Sequence, residues 1–410
     1  MKIALVVDRF DANNSANIGI AYNIGRELRK KHDVYIYGKH DCYSDRIVNQ
    51  LYEGEVGKQY AFESKINTKI DELRKSIRCG ECTRKEKAKK LITSPILCSY
   101  ILLNRISAYF FDNALEVKSV RRDLKKFVEA NHIECLIAIT APIDAVKEIA
   151  AIKNVKKIWY QLDPYSFNVY TKNKIKALKK EKKILQNIDF SFVTKQIYNE
   201  YKNSELNIYL NKVQSVEFPN LVRKNRGEKR TKSQKSEIAC VYAGNFYKQI
   251  RNPEFLLKKF SEIKNENIKL HLYGTGCEEE VDFWVKKSNG KIINHGRVSL
   301  SEVDNLIMNA DILVSLNNLN ANQMPSKIIE YISTGLPIVN VCKIDSCPTI
   351  AYIKKYPLAY NIIEGEGVDV ELLEAFITDN VGKTVDWNYI SEIYCEFTPQ
   401  AVVDEIEKIL

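Results

Sequence analysis

A short run of β-branched or aromatic residues, followed by an amphipathic helical stretch, recurs along almost the whole chain, and this rhythm stops once and restarts. KIALVVD (2–8), DVYIYG (33–38), CLIAIT (135–140), KKIWYQL (156–162), DFSFVTK (189–195) and VQSVEFPN (213–220) read as strands of a first half. Helical patterns fill the spaces between several of them, from about Ala16 to Lys31 and over the Lys-rich stretch 173–187. Residues 223–236, RKNRGEKRTKSQKS, hold no apolar residue and read as a linker or exposed loop. The alternation then resumes with EIACVYAG (237–244), KLHLYGTG (269–276), KIINHG (291–296), DILVSL (311–316) and PIVNVC (337–342), with helical patterns between them. Strands alternating with helices predict parallel, doubly wound sheets. At 410 residues the chain exceeds one ordinary core, so two domains are expected.

The predicted fold class is therefore α/β, with two Rossmann-like doubly wound domains facing a cleft. The boundaries are 1–222, carrying a basic helical insertion at about 40–130; 237–385; and 386–410, helices expected to pack back on the first domain. Several functions are disfavoured. No G-x-G-x-x-G follows the first strand and no G-x-x-x-x-G-K-[ST] occurs, against a dinucleotide dehydrogenase and a P-loop enzyme. MKIALVVDRFD has too short an apolar run for a signal peptide, so a cytoplasmic protein with reduced cysteines is expected. The five histidines show no metal spacing, and Cys79-Gly-Glu-Cys82 lacks a second pair, so free thiols are the preferred reading and no metal is expected.

Two stretches carry candidate chemistry. In YAGNFYKQIRNPEFLLKKF (242–260) a strand ends at Gly244, a loop brings Lys248 and Arg251, and Asn252-Pro253 starts a helix. Two cations beside a backbone that glycine leaves open can hold a diphosphate; a plain strand–helix connection with solvated cations is the alternative. In NQMPSKIIEYISTGLPIV (322–339) a helix begins at Pro325, with Lys327 in its first turn and Glu330 leaning back towards the ligand end of the sheet. A carboxylate there can accept hydrogen bonds from a ribose diol; an isolated surface Glu is the alternative. Gly274, Gly276, His295 and Arg297 fall at strand ends, where such sheets bind ligands, and are candidates for a nucleotide-base pocket, with a turn role as the alternative for His295.

In order and spacing these segments resemble glycosyltransferase family 4 (group 1) of the GT-B superfamily. Glu330 followed by STGLPIV is similar to the second half of its Glu, seven residues, Glu signature. GNFYKQIRNPEFLL resembles its diphosphate loop, and HGRVSLSEVDNLIMNADILVSL (295–316) resembles its next helix and strand. VTKQIYNEY (193–201), EFPNLV (217–222) and LDPY (162–165) resemble first-domain segments. The resemblance covers most of the chain except about 40–130. It implies transfer of a sugar from a nucleotide-diphosphate donor to a glycan or lipid-linked acceptor, with retention, in surface-polysaccharide synthesis. The implied donor-diphosphate residues are Gly244, Lys248, Arg251 and Lys327, with Glu330 on the ribose. Asn322 stands where the family has its first Glu, and with Asp163 it is the candidate for catalytic contact; Asp163 can equally be a cap before Pro164. Gly19, in Ile18-Gly19, takes the place of the family's first-domain Gly-Gly loop.

Such chemistry asks chiefly for stabilisation of a leaving diphosphate by cations and amides. No D-x-D occurs, so no cofactor and no metal dependence are expected. Two other readings stay open: a sugar-nucleotide 2-epimerase of the same fold, and a donor-binding partner of a heteromeric transferase, suggested by Asn322. The net charge of +10 is concentrated: residues 65–126 hold 16 Lys/Arg against 7 Asp/Glu. Within them LITSPILCSYILLN (91–104) is uncharged, too short to span a bilayer, and suited either to an interfacial helix on an anionic inner-membrane surface or to packing on the first domain. No nucleic-acid-binding module is recognisable, so nucleic acid is not expected as a partner.

Overall fold

The computed structural model describes residues 1–10, 16–40, 58–62, 99, 102–103, 115–140, 144–168, 171–224, 237–319, 327–365 and 367–410. Cys42, Cys79, Cys82, Cys98, Asn322 and nearly all of 91–111 lie outside them. The chain divides into two compact units: Met1–Thr194, Tyr201–Ser215 and Ile406–Leu410 form one, and Lys195–Glu200 with Val216–Glu405 form the other.

The first unit is built on a seven-stranded sheet of order β3-β2-β1-β4-β5-β6-β7. Its strands are β1 (Lys2–Phe10), β2 (Asp33–His40), β3 (Lys58–Phe62), β4 (Cys135–Thr140), β5 (Lys156–Gln161), β6 (Phe190–Val193) and β7 (Val213–Ser215). All six pairings are parallel. Strand β4 is buried at every position, as expected of a central strand covered on both faces. The described helices here are α1 (Ala16–Leu28), α2 (Leu115–Asn131), α3 (Asp144–Ile149) and α4 (Lys174–Gln186), followed by α5 (Lys195–Lys202). Two pieces of the stretch read as an insertion are framework. Lys58–Phe62 is an edge strand, and α2 leads into β4 while the Tyr37 hydroxyl donates to Asp123 on it.

The second unit carries six parallel strands of order β10-β9-β8-β11-β12-β13. They are β8 (Ile238–Ala243), β9 (Ile268–Tyr273), β10 (Ile292–Gly296), β11 (Ile312–Leu316), β12 (Ile338–Cys342) and β13 (Ala359–Ile363). The intervening helices are α6 (Glu254–Glu262), α7 (Glu278–Lys287), α8 (Leu300–Asn309), α9 (Lys327–Ile332), α10 (Thr349–Ile353), α11 (Val370–Asn380), α12 (Trp387–Ile393) and α13 (Pro399–Glu407). Helix α8 starts with a full capping box, the Ser299 hydroxyl and Glu302 exchanging hydrogen bonds with each other's backbone. Leu256, Leu257 and Phe260 of α6 join Leu270, Leu272 and Val314 in a core covering one sheet face.

The unit boundaries differ from the sequence reading at both junctions. Residues from Val216 onward count with the second unit: Tyr352 donates to Glu217, and the Leu221 amide donates to the Phe397 carbonyl. The terminal helices belong mostly to the second unit, and only Ile406–Leu410 groups with the first, where Glu407 meets His32 at 2.9 Å.

In each sheet the strand order reverses next to the first strand, between β1 and β4 and between β8 and β11. Ligands of open α/β sheets bind at the carboxyl ends of the strands flanking such a reversal. At the opposite end of the sheet, Gly335 lies in the turn between α9 and β12 at φ +74, and its Cα faces the Val385 carbonyl so closely that a Cβ would lie 2.7 Å from that oxygen. Left-handed backbone costs a non-glycine residue about 1–2 kcal/mol, and the clash adds to it. Gly335→Ala is expected to lower the melting temperature by about 2–4 °C per kcal/mol lost, measured by thermal denaturation followed by circular dichroism.

Candidate active site

The register between β8 and β11 is short. Only Ile312↔Cys240 and Leu313↔Val241 pair, so the carboxyl ends of the two strands part. Side chains from α9 enter that gap. The Lys327 ammonium donates to the Ala243 carbonyl at 2.6 Å, and the Ala243 amide donates to the Tyr331 hydroxyl at 3.3 Å. Both reach the last residue of β8 because helical side chains lean towards the helix start.

The loop after β8 is held in a tight turn. The Arg251 amide donates to the Tyr247 carbonyl at 2.7 Å, and the Tyr247 amide returns the bond at 3.2 Å. The turn is tied to the loop after β11, where Arg251 Nε donates to Asn318 Oδ1 at 2.9 Å and the Leu319 amide donates to the Ile250 carbonyl at 2.8 Å. The Arg251 charge lowers the Tyr242 pKa against the rise caused by burial, and its guanidinium carbon lies 5.9 Å from the Tyr247 ring centroid. The guanidinium is thus oriented by groups from β8 and β11 together.

Glu330 lies one helical turn after Lys327. Burial raises its pKa, while Lys327 and Lys224 act the other way. Burial likewise lowers the Lys327 pKa, Glu330 opposes this, and Arg251 and Lys224 add to it. Asn220 Nδ2 reaches Glu330 Oε1 at 3.5 Å, and Lys224 pairs with Asp304 at 2.7 Å. Two cations and a carboxylate, each half-buried, therefore sit at the gap beside Gly244. Such a set can bind an anionic group through the cations and hydroxyls through the carboxylate.

The structure brings Arg251, Lys327, Glu330 and Gly244 together and separates Lys248 from them. Lys248 is exposed and pairs with Glu280 of α7 at 2.7 Å. Gly274 and Gly276 support the loop from behind. A Cβ on Gly274 would lie 2.0 Å from the Gly244 carbonyl oxygen, and one on Gly276, at φ +101, would lie 2.2 Å from that of Phe246. Glycine at these places lets the 244–246 backbone pack against the β9–α7 loop. His295 stacks on Tyr273 with centroids 4.4 Å apart, and its Nε2 lies 3.0 Å from His271 Nδ1. Partial burial, then the neighbouring His271, lowers its pKa. Arg297 is exposed just beyond β10.

In the first unit Gly19, expected in a loop, is corrected to a position inside α1, where a Cβ would meet nothing within 4 Å. The helical pattern runs through it, so no special backbone is required there. Asp163 is half-buried in the loop after β5. That loop is anchored by Glu181 of α4, a fully buried residue that the sequence reading missed within a Lys-rich helix. Its carboxylate accepts from Gln161 Nε2 at 3.1 Å, the Ser166 amide at 3.2 Å, the Ser166 hydroxyl, and the Tyr201 hydroxyl at 2.6 Å. Asn318, Tyr242 and Asn220 were missed as well. Their signal, a polar residue at or just beyond a strand end, is shared by many turn residues. Among the described residues no group of three His, Cys, Asp or Glu could hold a metal ion.

Residues 237–352 match the family model described as Glycosyl transferases group 1. No curated protein matches the chain by sequence. Among solved structures, the chain is similar to the apo form of the lipopolysaccharide outer core galactosyltransferase WaaB, with TM-score 0.55 and 13% identity over 99% of this chain and 98% of that one. It is similar to Anabaena HepE in complex with UDP and glucose, with TM-score 0.60 and 11% identity over 100% and 99%. A third is a TarM variant from S. aureus in complex with fondaparinux, alpha-GlcNAc-glycerol and UDP, with TM-score 0.58 and 12% identity over 99% of both chains. The chain has the GT-B fold of these proteins.

Burial raises the Glu181 pKa above the ordinary 4.5, against the hydrogen bonds it accepts. Between these values the folded chain holds a proton that the unfolded chain has released, so this residue's contribution to stability falls as pH rises through that window. Glu181→Gln removes the titration. Its melting temperature is expected to fall less steeply than that of the parent chain from pH 4.5 upward, in paired thermal melts across pH; equal slopes would contradict the assignment.

Proposed function

We propose that this chain, whose residues 237–352 form a group 1 glycosyltransferase domain on a GT-B fold, moves a sugar from a nucleotide-diphosphate donor to a glycan or lipid-linked acceptor. The observation that carries this reading is the convergence of Arg251, Lys327 and Glu330 where β8 and β11 part. In the reaction, the bond from the anomeric carbon to the donor's β-phosphate oxygen breaks while the acceptor oxygen bonds to that carbon. The departing diphosphate gains negative charge. Arg251 and Lys327 stabilise it as preorganised cations, and the Glu330 carboxylate accepts hydrogen bonds from the ribose hydroxyls.

The reading includes retention of anomeric configuration, which needs no dedicated base, and independence of a metal, supported by the lack of a D-x-D motif. Asn322 and Asp163 are assigned to sugar and acceptor contact on the strength of the family resemblance. The acceptor belongs to surface-polysaccharide synthesis at the inner face of the membrane. Lys248 is assigned a supporting role for the loop through Glu280 rather than direct diphosphate contact.

Calorimetric titration with a panel of nucleoside diphosphates and their sugar conjugates tests the donor site. Arg251→Ala is expected to weaken nucleoside-diphosphate binding at least tenfold, since a hydrogen bond to a charged group contributes about 1.5–3 kcal/mol. Lys248→Ala, removing an exposed ion pair, is expected to leave it nearly unchanged. Unchanged affinity in Arg251→Ala would overturn the diphosphate assignment.

Among the described residues no helix is long and apolar enough to cross a membrane. Helix α4 supports a peripheral association. It carries six lysines, its single acid is the buried Glu181, and Ile175 beside them is 71% exposed. A face of one charge sign with an apolar residue suits an anionic bilayer, where each lysine near the surface contributes about 1 kcal/mol. Replacing Lys179 and Lys183 of this helix, with the exposed Lys172 just before it, by Glu is expected to reduce co-sedimentation with phosphatidylglycerol vesicles at least tenfold at low salt. Equal sedimentation of variant and parent would reject this face as the contact.

A further inference from the structure

Strand β12 ends at Cys342, and α10 begins after Cys347, so the loop KIDS joins two cysteines that the transfer chemistry does not use. Cys342 is fully buried and Cys347 nearly so, while Asp345 and Ser346 between them are exposed. Both sulfurs face the Thr349 hydroxyl, Cys347 Sγ at 3.1 Å and Cys342 Sγ at 3.7 Å, so one side chain contacts both thiols. The pair is surrounded by amides: Asn340 Nδ2 lies 3.3 Å and Asn317 Nδ2 3.7 Å from Cys342 Sγ, and Asn340 also donates to Asn361 Oδ1 at 2.7 Å.

This is an uncommon environment for buried cysteines. Cys135 and Cys240 lie within strands, where burial pushes both thiols up, Cys135 to about 12. Cys347 shifts the other way: the neighbouring Cys342 first, and then the Thr349 hydroxyl and amide, lower its pKa against burial. Of the two, Cys347 is the thiol that ionises more readily, and it adjoins the exposed Asp345 and Ser346. A thiolate next to a protonated partner is the starting arrangement for thiol–disulfide exchange.

We propose that Cys342 and Cys347 form a redox-active dithiol that a low-molecular-weight disulfide oxidises to an intramolecular disulfide. Cys347 is the attacking thiolate. Its sulfur bonds to one sulfur of the small disulfide, whose S–S bond breaks and releases one small thiolate. Cys342 then loses its proton and attacks Cys347 Sγ; the Cys342–Cys347 bond forms as the mixed disulfide breaks and the second small thiolate leaves. Two protein thiols are oxidised, one small disulfide is reduced to two thiols, and the protons of the two cysteines end on those thiols. The exposed Asp345 and Ser346 adjoin Cys347 and mark the side from which the oxidant arrives, and the short connection keeps the resolving sulfur at hand.

Lys343 lies between the two cysteines, which makes the test direct. Trypsin separates them into two peptides that stay joined only by the disulfide, so the other eight of the ten cysteines do not obscure the result. The full chain is equilibrated with graded ratios of reduced to oxidised glutathione, quenched with an alkylating agent, digested and weighed by mass spectrometry. The expected result is a linked peptide pair lighter by two hydrogens than the sum of its parts, formed while circular dichroism shows the chain folded. Cys342→Ser is expected to stop at a glutathione adduct on Cys347, and Cys347→Ser to slow adduct formation at Cys342 by about tenfold or more relative to that. Peptides that remain unlinked at every ratio, or that link only after unfolding in urea, would overturn the proposal. Since the readout is peptide mass, it stands or falls apart from the transfer reaction.

Discussion

The parting of β8 and β11 is the constraint on which the second unit's site depends. Two residue pairs hold these strands together before they diverge, leaving backbone groups at the end of β8 without a strand partner on the β11 side. Buried backbone polar groups require partners. Lys327 supplies a donor to the Ala243 carbonyl and Tyr331 an acceptor to its amide, so α9 is bonded into the place a strand would have occupied. That substitution brings a cation and, one turn on, a carboxylate to the ligand end of the sheet.

The same gap explains the loop above it. With β11 turned away, Asn318 is free of strand pairing and its side chain accepts from Arg251, while Leu319 bonds to Ile250. Gly274 and Gly276 admit the 244–246 backbone from the other side. The guanidinium is therefore positioned before any ligand arrives, which limits the conformational entropy lost on binding. The coupled shifts at Lys327 and Glu330, each driven first by burial and each opposed by the other, belong to the same crowded place.

Much of the frame was legible in the chain. Strands β4, β8, β11 and β12 appear as short, mostly apolar runs because both faces are covered, and α8 announces itself through Ser299 and Glu302. Less was legible where the residues looked ordinary. Strand β3 lay in a stretch dominated by charge, and the segment from Val216 counted with the first half until its bonds to Phe397 and Tyr352 placed it with the second. Lys248 and Arg251 are three residues apart and looked equivalent. The turn between them sends one side chain to Glu280 and the other to Asn318.

By itself the sequence determined two successive parallel sheets, the strand ends at which charge would gather, and the types of residue available there. These follow from periodicity, which is local. Only the tertiary structure decided which of those residues meet. Lys327 and Ala243 are 84 positions apart, and their contact depends on how soon two strands diverge and which way a short helix enters the gap. Glu181 makes the same point in the first unit: among six lysines it looked like one more surface charge, yet Gln161, Ser166 and Tyr201 converge on it in the interior. Burial and partner are properties of the assembled chain, because each requires segments distant in sequence to arrive at one place.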